Sequence, residues 1–312
     1  MLPWFMMHNA YDYVALNPPA PEIREYVDQF LLDGWAVVKQ GVPRDFALEM
    51  NDYYYRVKQA NEELVSPYKN QYGCLQRVVN LHHVYPKLLE LFTRNRISLM
   101  LQDYLFAAPT AVYTSLTFEQ GSEQNFHRDT PVFDTNPPFY YFGMWIPLED
   151  VDADNGPLRA YKGGHLVPDV NRYEIAKQFF PDLRDVPSSD HPGLWNTYQD
   201  ALAKRCEEMG LPIVPIHVQA GDTVIWHPQL PHGGSPQKDK SRTRLSFLMH
   251  TTPPNMPVYH MDGFFNPYKE KANRAPWPYV PFGEGRYYAY HGPKIDMGHN
   301  GILPATDFRK VA

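Results

Sequence analysis

The sequence predicts a mainly β protein, a sandwich or barrel flanked by helices, and three observations carry that expectation. Short runs rich in Val, Ile, Thr, Tyr and Phe recur between residues 111 and 250, each bounded by Gly, Pro, Asp or Asn, which is the spacing of strands in all-β architectures. Helical periodicity is confined to the N-terminal third and one internal stretch. Aromatic residues make up 14% of the 312-residue chain and prolines number 31, which suits strands and ordered loops better than a helical bundle.

Apolar residues at helical spacing among charges predict helices over 22–32 and 46–60, separated by the β-rich WAVVKQGVP. A third helix is expected over 86–104, with LLELF and ISLML supplying its buried stripe and Pro86 placed where a helix can begin. Strands follow over 111–118, 139–147, 157–161, 213–218, 223–226 and 244–250. Between 164 and 215 the segments YEIAKQFF and WNTYQDALAKRCEEMG read as helices inserted into the β fold, the second capped by Gly210. From 251 onward the chain is rich in Pro, Tyr, Gly and His without clear periodicity, and too aromatic for disorder. The expected organisation is a single domain over 1–312. It comprises helical support over 1–108, a β core over 109–250 with an insertion at about 165–212, and a tail over 251–312 packing over the barrel as a lid.

Lys and Arg total 29 against 35 Asp and Glu, a net charge of −6, so no basic stripe of the kind nucleic-acid binding needs is present. Cys74 and Cys206 lie far apart without metal-site spacing. The N-terminal MLPWFMMHNAYDY has neither a basic region nor a sustained apolar run. These features lead to the expectation of a cytoplasmic protein with a small-molecule partner, without nucleic-acid or membrane association. They leave the oligomeric state open.

The chemistry concentrates in His127-Arg128-Asp129, within SEQNFHRDTPVF. Side chains alternate on an extended segment, so His127 and Asp129 point the same way while Arg128 points oppositely. Two histidines and a carboxylate on one face of an iron leave positions open for oxygen and a chelating cosubstrate. The third ligand is sought in GDTVIWHPQLPHGGSP. There His232 precedes two glycines that let the backbone bend, whereas His227 reads as a hydrogen-bonded rim histidine. His82 and His83 are adjacent, so at most one points inward, where it would line the substrate pocket; His165 reads as a turn residue. A buried cosubstrate carboxylate requires a cation, and SRTRLSF offers Arg242 and Arg244, with Ser246 on the same face.

In these residues the chain resembles the phytanoyl-CoA dioxygenase family of Fe(II)- and 2-oxoglutarate-dependent oxygenases. HRD matches the family's H-x-D. YFGMWIPLEDVDADNGPLRAYKGGH resembles its progression to P-G-S-H, with Tyr161-Lys162 and Gly164 departing from the usual proline and serine. GDTVIWHPQLPHGGSP places the second histidine at His232, and R-x-x-L-S falls on Arg242 to Ser246. The resemblance covers about 112–250. It implies a double-stranded β-helix with Fe(II) held by His127, Asp129 and His232, and 2-oxoglutarate and O2 as cosubstrates. It further implies that Arg242 pairs the far carboxylate of 2-oxoglutarate, with Gln124, Trp145 and Ser246 also at that cosubstrate. The reaction implied is oxidation of an unactivated C–H bond, usually hydroxylation, with release of succinate and CO2. Relatives that halogenate carry a small residue where Asp129 stands, so halogenation is disfavoured. Phe133, Asn80 and Arg159 are candidate substrate contacts. Two other classes remain open: a cupin-type metal enzyme that does not use 2-oxoglutarate, and a non-catalytic barrel with a binding role.

Overall fold

The computed structural model describes residues 2–311. Helices α1 (Ala10–Leu16), α2 (Arg24–Asp33), α3 (Arg44–Ala60), α4 (Glu62–Val65), α5 (Glu90–Thr93) and α6 (Arg96–Phe106) precede the core, with β1 (Trp35–Val38) and β2 (Val78–Val79) among them. The core runs through β3 (Ala111–Phe118), β4 (Asp134–Thr135), β5 (Phe142–Pro147) and β6 (Leu158–Tyr161). After α7 (Arg172–Lys177) and α8 (Pro192–Glu208) come β7 (Ile213–Ile216), β8 (Thr223–Trp226), β9 (His232–Gly234) and β10 (Ser246–Thr252). The C-terminal part holds β11 (Val258–Tyr259), α9 (Met261–Phe265), β12 (Tyr279–Gly283), β13 (Arg286–Ala289), β14 (Lys294–Asp296) and β15 (Ile302–Pro304).

The large sheet runs β1-β8-β5-β10-β3-β2-β14-β15 and a smaller one runs β7-β6-β9. A bridge between His127 and His232 adds the H-x-D segment beside β9. The result is a mainly antiparallel double-stranded β-helix, open at its ends and flanked by helices. Period-two alternation sorts the large sheet's side chains. Phe142, Met144 and Ile146 of β5, Ile225 of β8, and Phe247 and Met249 of β10 pack with the N-terminal helices in one buried cluster. Trp145, Val224, Trp226 and Leu248 face the other way, where they meet Ala160 and Ile216 of the small sheet. The inner face of that sandwich is the wall of the site.

Helix α3 buries Phe46, Ala47, Met50, Tyr53, Tyr54 and Val57, the one-sided spacing expected of a helix laid on a sheet. Helix α2 stops at Gly34, whose φ of 91° is a left-handed cap. The helix expected over 86–104 is broken into a 3-10 turn, α5 and α6. The apolar stripe is continuous, but Asn95 leaves the helical region and donates from Nδ2 to Thr223 Oγ1 of β8 at 2.6 Å. A tertiary bond thus interrupts a locally favourable helix.

The inserted α7 and α8 build a separate apolar cluster with Met261, Phe264 and Phe265 of α9. Arg128 ties this insertion to the metal-ligand segment. Its buried guanidinium donates to the carbonyls of Gln229, Gly164 and Val167 at 2.6, 3.2 and 2.9 Å. Gln199 of α8 brackets its backbone, accepting from Arg128 N at 2.9 Å and donating to Arg128 O at 3.1 Å. The first tail strand, β11, pairs with β4, and α9 packs on the inserted helices. The later tail strands extend the large sheet, β13 pairing with β3 and β14 with β2. Among the described residues, no helix is long and apolar enough to cross a membrane.

Several histidines are buried neutral away from the metal-ligand segment. Burial lowers His165 and His83 from 6.5 to about 4 and holds His82 well below its ordinary value. Each binds a proton less readily folded than unfolded, so between about pH 6.5 and 4 the unfolded chain holds more protons. Stability is therefore expected to fall as pH drops through that window, by on the order of a few kcal/mol in total. Thermal midpoints measured across it test this; a flat profile would contradict it.

Candidate iron and 2-oxoglutarate site

His127, Asp129 and His232 are buried together, with ligand atoms all within 4.8 Å of one another. His127 Nε2 lies 3.4 Å from Asp129 Oδ1, and His232 Nε2 lies 3.7 Å from Asp129 Oδ2. Their chain positions explain the convergence: His127 and His232 are cross-strand neighbours, exchanging backbone hydrogen bonds of 2.8 and 3.0 Å, and Asp129 is two residues along the same face. His127 Nδ1 lies 2.8 Å from the carbonyl oxygen of Asn125, and His232 Nδ1 lies 3.0 Å from that of Leu230. A carbonyl only accepts, so each Nδ1 carries the proton and each Nε2 offers its lone pair to the centre of the triad.

Trp226 Nε1 donates to Asp129 Oδ2 at 3.1 Å, fixing the carboxylate. Burial opposes ionisation of Asp129, but His232 and His127 hold its carboxyl well below the usual range. Burial also lowers His232 to about 4, so that ring is neutral at pH 7. Burial opposes a proton on His127 but the neighbouring Asp129 outweighs it and raises that ring above its ordinary value, so iron would displace a proton there to gain the two free Nε2 atoms and ionised carboxylate it requires. The Trp226 ring lies against Gly143 on β5, where an added Cβ would overlap it. Gly143→Ala is therefore expected to push Trp226 off Asp129 and cost about 1–3 kcal/mol of stability. Denaturant unfolding with and without Fe(II) checks this; an unchanged midpoint would contradict it.

A cavity of about 130 Å³ opens at the triad, lined also by Trp145, Leu158, Arg244, Leu248 and His250. On the β10 side the lining residues are even-numbered, as alternation dictates. Arg244 is 2% exposed, its guanidinium carbon 5.2 Å from the Trp145 ring centre. Its Nε and Nη1 have no hydrogen-bond partner, and neither does the buried Ser246 Oγ two residues on. Burial lowers the Arg244 guanidinium to about 10 while Glu149 opposes that shift, so it remains charged at pH 7. A buried cation with free donors fits the far carboxylate of 2-oxoglutarate.

The expectation for Arg242 is corrected by its position. It sits in the turn before the alternating strand, with Nη1 2.9 Å from both carboxylate oxygens of Asp152 and a side chain 36% exposed, and it does not line the cavity. Gln124, Trp145 and Phe133 do line it. Asn80 does not: its Oδ1 accepts from Thr114 Oγ1 and Ser115 N at 2.8 and 3.1 Å. Arg159 lies over the Phe126 ring at 4.5 Å, outside the cavity. Neither His82 nor His83 lines it; His82 Nδ1 contacts Ser115 Oγ at 2.7 Å. His227 packs on Phe5 and Phe30 and accepts from Gln229 N at 3.1 Å. His165 Nε2 lies 3.0 Å from the carbonyl oxygen of Leu31.

Sequence reasoning passed over Arg77, Asp190 and His250, all of which line the cavity. His250 was legible by carrying the alternation from Arg244 through Leu248. Arg77 and Asp190 come from loops remote in sequence, with no local pattern to mark them.

Fold and site together define the facial-triad class of non-haem iron oxygenases built on the double-stranded β-helix. The family model for phytanoyl-CoA dioxygenase (PhyH) matches residues 33–244, and the chain belongs to that family, whose members are Fe(II)- and 2-oxoglutarate-dependent dioxygenases acting with O2. Phytanoyl-CoA dioxygenase 1 of Oryza sativa subsp. japonica is 27% identical over 175 residues, 51% of this chain and 54% of that protein. The match thus spans about half the length of that curated relative. Among solved structures, the 2-oxoglutarate-dependent epimerase SnoN from nogalamycin biosynthesis aligns with TM-score 0.55 and 18% identity, covering 86% of this chain and 95% of that one. The carbocyclase SnoK from the same biosynthesis aligns at 0.54 and 17%, covering 78% and 89%. EctD from S. alaskensis with 2-oxoglutarate and 5-hydroxyectoine aligns at 0.55 and 14%, covering 81% and 84%. These likenesses establish the shared fold.

Proposed function

We propose that the protein oxidises an unactivated C–H bond of a small molecule, with hydroxylation as the outcome, while converting 2-oxoglutarate to succinate and CO2. The observation that carries this is the buried triad sharing one cavity with a buried Arg244 whose Nε and Nη1 have no hydrogen-bond partner. In this reading His127, Asp129 and His232 hold Fe(II). Arg244, with Ser246 beside it, binds the far carboxylate of 2-oxoglutarate; this role passes from Arg242 because only Arg244 reaches the cavity.

Fe(II), if held by these three residues together with 2-oxoglutarate, would supply the oxidising power. The chain's own groups set the conditions. Trp226 keeps Asp129 oriented, so the carboxylate does not swing away when a ligand exchanges. Trp145 and Leu248 line the Arg244 side and exclude water from the ion pair, which strengthens it. Phe133, stacked on His250 with ring centres 4.1 Å apart, also lines the cavity and limits which face of a substrate approaches.

The test is a screen of small metabolites for substrate-stimulated succinate release, followed by mass analysis of the product. Gain of one oxygen atom supports hydroxylation, whereas loss of two hydrogens would replace it with desaturation or ring closure. Metal binding without any succinate from 2-oxoglutarate would favour the cupin-type alternative.

A further inference from the structure

The cavity at the triad, about 130 Å³, is smaller than the roughly 300–1,000 Å³ of ordinary ligand pockets. Most of a substrate must therefore lie outside it. A second groove of about 480 Å³ is lined by Asn70, Gln71, Tyr72, Gln76, Gln120 and Gly121, together with Ser122, Glu123, Gln237 and Lys240. Ser122 lines both spaces, and both walls of the groove lead inward. The segment containing Gln71 and Gln76 reaches the inner cavity at Arg77, and the one containing Gln120 reaches it at Phe118 and Gln124. Glu119 N donates to Leu75 O at 3.3 Å, holding the two segments together.

We infer that this outer groove is the substrate's recognition subsite and that it takes a neutral, polyhydroxylated group such as a sugar ring or cyclitol. The inference rests on the oxygenase reading and names the substrate class for it. Charge is the first argument. The groove's two charged residues, Glu123 and Lys240, pair with each other, leaving no free cation there for a phosphate and no free anion for an amine.

Side-chain chemistry is the second argument. Asn70 Nδ2 donates to Gln120 Oε1 at 2.7 Å, and Gln120 Nε2 donates to Lys240 O at 3.1 Å. Gln237 Nε2 is spent on the carbonyls of Asp239 and Arg242 at 2.9 and 2.6 Å. These amides form a rigid frame. Among the described residues the side chains of Gln71, Gln76 and Ser122, which line the groove, make no hydrogen bond, so their donors and acceptors are free for a ligand. Amides and hydroxyls that both donate and accept match sugar hydroxyls, which do the same. Tyr72 is 47% exposed and offers an aromatic face to the C–H side of a ring. It is the groove's sole large apolar surface, too little for an acyl chain.

The test is saturation-transfer NMR on the full chain with 2-oxoglutarate and diamagnetic Zn(II) in place of iron. The neutral probes are methyl glucoside, maltose, sucrose and myo-inositol; glucuronate and octanoate serve as anionic and apolar probes. At least one neutral probe is expected to receive saturation, and Tyr72→Ala and Gln76→Ala are each expected to weaken its binding about fivefold, the value of roughly one lost contact. Saturation of glucuronate or octanoate alone, of no probe, or of a neutral probe as strongly in both variants as in the wild type would overturn the inference. Because this readout needs no turnover, it is independent of the Fe(II)–2-oxoglutarate absorption that tests the oxygenase reading. Loss of one result leaves the other standing.

Discussion

Arg244→Met is expected to abolish tight 2-oxoglutarate binding while leaving the apoprotein as stable as before, or more so. In the structure Arg244 is a buried cation with two unpartnered nitrogens, a costly arrangement that a methionine of similar length removes without leaving a carboxylate exposed to nothing. Once 2-oxoglutarate is present the balance reverses, since its far carboxylate loses its fork-shaped partner in a water-poor cavity. Truncating one member of such a buried charged pair costs about 2–5 kcal/mol, roughly 30-fold to several thousand-fold in affinity. Arg242→Ala removes only an exposed pair with Asp152, worth about 0–1 kcal/mol of stability, and is expected to leave 2-oxoglutarate affinity unchanged. Calorimetric titration of both variants decides the assignment. A larger loss in Arg242→Ala would restore the role to Arg242, and marked destabilisation of Arg244→Met without ligand would indicate a structural duty.

Asp129→Ala is expected to weaken Fe(II) binding by more than the roughly 10–100-fold that follows loss of an outer partner of a metal site. The carboxylate lies between the two imidazoles at 3.4 and 3.7 Å, and it is the triad's sole anionic member. Trp226→Phe removes the hydrogen bond to Asp129 but retains all three ligands, so its loss is expected near 10-fold. The order of the two variants is informative. Equal losses would mean that Asp129 is held as a structural partner of Trp226, not as a ligand. Metal titration followed by competition with a chelator measures both.

Much of the fold was readable because local and global preferences agree. The segment 111–118 is β-rich and forms β3 over those residues, and 223–226 does likewise as β8. The run expected as one helix over 86–104 was misread, because its break depends on Asn95 reaching Thr223, 128 positions away. The triad was legible because His127 and Asp129 are spaced for one face and the glycines after His232 allow close approach: Cβ atoms at Gly233 and Gly234 would crowd the 123–125 backbone. Alternation alone did not separate Arg242 from Arg244, which share a face with Ser246; the pattern match favoured Arg242, and only the structure shows it paired with Asp152 outside the cavity that Arg244 lines. The outer groove had no local signature, since its walls come from segments about 50 residues apart, as the Asn70–Gln120 bond illustrates.

Anaerobic addition of Fe(II) and 2-oxoglutarate to the apoprotein, with the visible charge-transfer absorption of the chelate as readout, tests the central assignment most directly. The absorption is expected in the wild type, absent in Asp129→Ala, and reached in Arg244→Met only at far higher 2-oxoglutarate. No absorption in the wild type, or the same absorption in wild type and Asp129→Ala, would contradict the assignment of iron and 2-oxoglutarate to this site.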